Sequence, residues 1–164
     1  MAATNQPNAQ ELALLRHTLA TVAYRAGKAL RSAPESFANY VCGEGGRTPA
    51  QILAHMGDLY DWALSLASGN QVWKDSQPLP WEKEVERFFA ALKKFDDYLA
   101  SGATLHDGPG ALFQGAIADS LTHIGQIAML RRMAGSKIKG ENYRKAEIVS
   151  GRVGIEQAAP RREF

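Results

Sequence analysis

Two histidines and an aspartate carry the clearest chemical signal in this chain. His55 falls on the apolar period Ile52, His55, Leu59, Trp62, Leu66, and Asp119 and His123 fall on Leu112, Ala116, Asp119, His123, Ile127, Leu130. Both periods predict amphipathic helices, over residues 48–68 and 109–134, with the three polar side chains on seams that face a common core. A polar group buried without a partner costs roughly 2–7 kcal/mol, so such a cluster must be hydrogen-bonded internally, to water or to a metal ion. Residues four apart share one helix face, so Asp119 and His123 can reach one point, and His55 must join them from another helix. Two imidazoles and a carboxylate are a recurring ligand set for divalent first-row metals, and three protein ligands leave positions open for water or substrate. The competing reading is a local Asp119–His123 pair beside an ordinary core histidine at position 55. Spacing alone leaves both open.

Two neighbours are candidates for supporting such a centre. Asp58, three residues after His55, could orient an imidazole as a hydrogen-bond acceptor, or could be a solvated helix carboxylate. Gln126, three after His123, could bond a metal-bound water or pack at a helix contact. Tyr60 and Trp62 read as core or interface aromatics, His17 lies off the apolar seam of its helix, and His106 lies in a loop beside Gly108. Cys42 has no basic residue close in sequence to activate a thiol. No glycine-rich phosphate loop, Ser-His-Asp order or dinucleotide fingerprint is present, and no residue is singled out as catalytic.

The elements that must position these groups are readable in outline. Leu12, Leu15, Leu19, Val22, Ala26 and Leu30 predict a first helix ending near Ser32, after a polar flexible leader over residues 1–8. A short apolar piece over residues 37–42 and the turn Gly43-Glu44-Gly45-Gly46 lead to Thr48-Pro49-Ala50-Gln51, a capping-box start with proline at the first helical position. Gly69 stops that helix. Pro80 starts a third, with the seam Trp81, Val85, Phe88, Leu92, Phe95, Leu99 closed by Gly102, and the fourth runs from Pro109 to a glycine stop at Gly135. The expected fold is all-α, an antiparallel four-helix bundle, with an irregular tail over residues 136–164 packed on it. Ala146-Glu147-Ile148-Val149 is expected to be extended, and Glu141, Glu147 and Glu156 to offset the tail's basic residues in a solvated segment.

Composition bounds the rest. At 164 residues the chain fits a single domain that buries about 70% of its unfolded surface. Nineteen basic and seventeen acidic residues give +2, interspersed and without a basic helix face, so no nucleic-acid partner is expected. One cysteine excludes an internal disulfide or a cysteine-rich zinc site. The start MAATNQPNAQ has no basic and apolar leader, and no stretch approaches the ~20 apolar residues of a membrane span, so a cytoplasmic protein with no membrane partner is expected.

The segment Ile52-Leu53-Ala54-His55-Met56-Gly57-Asp58-Leu59, with its Arg47-Thr48-Pro49 lead-in, and the segment Asp119-Ser120-Leu121-Thr122-His123-Ile124-Gly125-Gln126-Ile127, followed by Leu130-Arg131 and Gly135, resemble the two signature regions of the DinB/YfiT superfamily. The resemblance spans most of the chain. It implies a four-helix bundle, commonly a homodimer, holding a divalent metal through one histidine of the second helix and a pair four apart on the last. His55 and His123 match two of those ligands, and Asp119 stands where the third is usually histidine. A carboxylate there suits nickel, zinc, iron or manganese and leaves the identity open. The resemblance further implies thiol-dependent transfer with a low-molecular-weight thiol as the most concrete activity, with a small-molecule substrate and metal-assisted hydrolysis as a variant. The alternative is a non-catalytic, stress-related binding or interaction bundle with a structural or vestigial polar cluster.

Overall fold

The computed structural model describes residues 6–164, in which every regular element is helical. Helix α1 spans Ala9–Leu30 and begins at a reciprocal cap, in which the Asn8 side chain accepts from the Gln10 and Glu11 amides while Glu11 reaches back to the Asn8 N–H. Of the expected flexible leader, positions 1–5 lie outside the described residues, and Gln6 is tied down. Its side-chain amide donates to the Leu105 carbonyl and accepts from the Leu105 N–H, each at 3.0 Å, because one carboxamide can satisfy both main-chain groups of a loop residue.

Helix α2 spans Pro49–Ala67 with the anticipated Thr48–Gln51 capping box and Pro49 at its first position. It stops at Gly69, which has φ +81° and lies under the His106 ring, where a Cβ would come within 2.8 Å of ring carbon. Glycine is thus required there by conformation and by space. Helix α3 spans Trp81–Ala100, and its whole expected seam, Trp81, Val85, Phe88, Leu92, Phe95 and Leu99, is buried. A 3₁₀ turn at Glu35–Asn39 replaces the loose apolar piece before α2 and sets Phe37 edge-on against Trp81, ring centres 5.6 Å apart.

The last long helical segment is interrupted. It comprises α4 (Pro109–Leu112), a π-helical stretch at Phe113–Ile117, and α5 (Ala118–Met133). A π turn holds one extra residue and rotates everything beyond it by about 100° relative to an unbroken α-helix. The buried positions run Leu112, Ala116, Ile117, Ser120, His123, Ile124, Ile127 and Leu130, so the expected seam is buried except at Asp119. Asp119, which an unbroken period places on the core seam, is moved to its flank. Helix α2 shows a related shift. Leu53, Met56, Tyr60, Ala63 and Ala67 form its deepest stripe, leaving His55, Trp62 and Leu66 half-buried beside it. With apolar residues around most of α2, two phases of the period were available, and packing chose the other.

Helix α2 packs along α3 and against α5, and α1 packs against α3 and α5, around a core that includes Leu19, Leu53, Met56, Phe88, Phe95 and Ile127. Buried polar groups at these seams are paired. Arg16 of α1 makes a forked bond to Asp96 of α3 at 2.8 and 2.9 Å, and the Tyr60 hydroxyl meets Ser120 Oγ at 2.5 Å. Arg131 is buried and spans the end of α1, donating to the carbonyls of Ala29, Arg31 and Ser32, where a cation suits the helix's negative pole.

The tail after Gly135 has no strand, and residues 146–149 join no sheet ladder; a single bridge joins Glu141 to Glu163. Glu141 is not solvated as expected. It is buried against α1, accepting from the Tyr24 hydroxyl at 2.6 Å and from Lys28 at 2.8 Å, and Val153 enters the core. No helix among the described residues is long and apolar enough to cross a membrane.

Candidate metal centre

His55 from α2 and Asp119 and His123 from α5 do converge. His55 Nε2 lies 3.3 Å from Asp119 Oδ2, and His123 Nε2 lies 3.5 Å from Asp119 Oδ1. One ligand atom from each of the three falls within 4.8 Å of the other two, a grouping that could hold a metal ion. The imidazole rings cross edge to face with centres 4.9 Å apart. The cluster is not inside the core, as the sequence period implied. It lies at the margin: His123 stays on the buried stripe of α5, while the Asp119 side chain is 45% exposed and His55 is half-buried beside the deepest stripe of α2.

Gln126 fixes one side of His123. Its Oε1, which can only accept, lies 2.7 Å from His123 Nδ1, so the Nδ1–H donates there while Nε2 faces Asp119. Gln126 thus stands behind the cluster, bonded to the His123 ring itself. Around Asp119 both imidazole Nε2 atoms face a carboxylate oxygen at distances long for hydrogen bonds, and a proton or a cation can bridge them. The donor chemistry fits a divalent ion of the first transition row, with hard and borderline atoms and no sulfur among them.

Asp58 corrects the second supporting assignment. It is buried, and neither oxygen is turned to an imidazole. Oδ2 accepts from the Ser76 N–H at 2.8 Å, and Oδ1 accepts from Ser76 Oγ and Arg87 Nη1 at 2.7 and 2.8 Å. Burial pushes this carboxyl up, but the bonds from Arg87 and Ser76 outweigh it and hold the group below its ordinary range. Arg87 also bonds Glu84 and the Ala54 carbonyl, lying over Gly57, where a Cβ would come within 3.1 Å of the guanidinium. Helix spacing sets Asp58 near the imidazole, but a partner on α3 and another in the loop take both of its oxygens.

That structural cluster nevertheless shapes the centre indirectly. Ser76 belongs to the irregular connection over residues 68–80, which is also fastened by Val72 N–H to Ser65 Oγ and by Leu79 N–H to Glu84. Fastened this way, the connection lays Trp73 edge-on against His55 and Trp62, ring centres 5.7 and 5.9 Å away. Nothing in the sequence marks Trp73 for this place, because an irregular loop has no period to position it. His17 and His106 stay outside the cluster, as their positions suggested.

No protein-family model, curated protein or solved structure matches the chain. The centre accordingly rests on its own geometry.

Beside His123 and Gln126 opens a cavity of about 740 Å³, walled by Ile52, Leu130, Met129 and Met133 and reached by Cys42 and Arg47. Cys42 Sγ lies 3.6 Å from Met133 Sδ, a soft contact that gives the thiol no base.

Proposed function

We propose that this chain is a divalent-metal protein of the DinB/YfiT type, an antiparallel four-helix bundle in which His55, Asp119 and His123 hold the ion. The observation that carries the reading is the convergence of three ligand atoms from two helices within 4.8 Å, one of them on an imidazole whose other nitrogen is bonded to Gln126. The sequence resemblance supports the same assignment independently of the geometry. Nickel, zinc, iron and manganese all accept this donor set.

A metal held there supplies Lewis acidity, lowering the pKa of a water or thiol that reaches it. The chain's own contributions are more local. Gln126 keeps His123 in one tautomer, the exposed side of Asp119 leaves the centre open to small molecules, and Trp73 and Trp62 close one flank with apolar surface. An accessible centre beside a cavity is what a catalyst needs and what a purely structural ion does not. The reaction we infer is transfer from a low-molecular-weight thiol to a small electrophile. A homodimer belongs to the same proposal, with the exposed Leu14 and Phe113, which line a groove between α1 and α4, offering the free apolar surface.

The test is a panel of bacillithiol, mycothiol, glutathione and coenzyme A with a generic electrophile, comparing metal-loaded and chelator-stripped protein. One thiol should be consumed well above the stripped control, and the rate should vanish in His123→Ala. Equal rates in loaded and stripped protein for every thiol would overturn the transfer assignment.

A further inference from the structure

The cavity beside His123 has an electrical asymmetry that its shape alone does not reveal. Among the residues lining it, Arg47 carries the only full charge, and none is acidic. Arg47 precedes the Thr48 cap of α2, is exposed, and makes no hydrogen bond or ion pair with any described residue. Thr122 and Gln126 add an exposed hydroxyl and amide to its wall, and the rest of its exposed surface is apolar and adaptable. Met129 and Met133 stand on α5 more than half exposed, with Ile52 and Leu130 buried behind them. Unbranched thioether side chains re-pack around varied apolar shapes.

A planar guanidinium without a partner at one end of an apolar hollow, with a ligand-type imidazole in its wall, matches an amphipathic monoanion. A carboxylate can accept two parallel hydrogen bonds from the fork while its hydrocarbon part displaces water from the methionines. We propose that Arg47 is a specificity-determining residue, and that the cavity takes small organic carboxylates carrying an apolar chain, with the carboxylate on Arg47 and the chain along Met129 and Met133. This names the substrate class of the centre described above and rests on that reading for the chemistry, but the binding interaction itself needs only the cavity and Arg47. Asp75 is the competing partner, since it lines the adjoining polar hollow that Arg47 also borders. A guanidinium drawn away to Asp75 would leave the cavity neutral and without preference for charge.

The proposal is tested by calorimetric titration of octanoate and its neutral isostere octanamide into parent protein and Arg47→Met, each both metal-loaded and chelator-stripped. The expected result is octanoate binding about tenfold or more tighter than octanamide in both forms of the parent, with the difference abolished in Arg47→Met and octanamide binding unchanged. Equal affinities for the two probes, undiminished octanoate binding in Arg47→Met, or no binding of either at millimolar concentration would overturn it. A preference for octanoate that disappears on chelation would also overturn it, by assigning the carboxylate to the metal, and would leave the metal reading standing. An Arg47-dependent preference in protein that takes up no metal would uphold the Arg47 assignment and refute the metal reading, so the two can fail separately.

Discussion

Two polar clusters meet α2 within one turn of each other, and they are finished to different degrees. In the first, Asp58, Glu84, Arg87 and Ser76, both Asp58 oxygens have donors at 2.7–2.8 Å, and Glu84 accepts from Arg87 and from the Leu79 N–H. In the second, His55, Asp119 and His123 face one another across 3.3 and 3.5 Å, longer than the contacts that hold Asp58 and Glu84. The first is complete as protein and ties a loop to a helix. The second is looser and half-exposed, with a donor set that suits a cation. Ligand-type residues near one another do not make a site; loose contacts and an exposed face among them are the more telling sign.

The sharpest way to break this contrast is to remove one carboxylate from each cluster. Asp58→Ala leaves Ser76 and one arm of Arg87 without their acceptor while Glu84 still holds the guanidinium, and should cost about 1–3 kcal/mol in urea unfolding, the range for buried donors left unsatisfied. Asp119→Ala, at a half-exposed position, should cost under about 1 kcal/mol in metal-free protein. Comparable costs for the two would show that the second cluster is also a structural network.

Gln126→Leu sharpens the comparison from the other side. Losing the acceptor on His123 Nδ1 should weaken metal binding by about 10–100-fold in competition with a chromophoric chelator, while the unfolding free energy without metal changes little. Unchanged affinity would mean that the bond to Gln126 does not orient the ligand.

Acidification should give the smallest effect. Asp58 titrates below its ordinary value of 3.8 in the folded chain, so its contribution to stability is complete above that value and is lost as pH falls through the lower folded one. The urea midpoint of the parent should therefore drop more steeply than that of Asp58→Asn below about pH 4, and parallel profiles would remove Asp58 from the account.

How far the sequence led can be judged from particular residues. Helix starts were legible because Thr48, Gln51 and Pro49 act locally, and stops were legible at Gly69, Gly102 and Gly135 because a left-handed backbone is a local demand. The whole seam of α3 was legible because only one of its faces is apolar. The ligand trio was also legible as residue types at helical spacing. Its place at the margin of the core was not, since the π turn at Phe113–Ile117 has no local sequence mark, and the nearly all-apolar α2 offered two phases. Asp58 was misassigned because its partner Arg87 lies 29 residues away on another helix, and only packing brings them together. Trp73 and the buried Glu141 escaped for the same reason, each placed by irregular chain that carries no period.

The central claim is that His55, Asp119 and His123 form one coordination centre. Its most direct test is the metal content, by inductively coupled plasma mass spectrometry, of untagged protein exposed to nickel, zinc, iron or manganese and then desalted, beside His55→Ala and His123→Ala treated identically. The account predicts close to one equivalent of a single metal in the parent and almost none in either variant. A parent that retains no metal, or variants that retain as much as the parent, would contradict it.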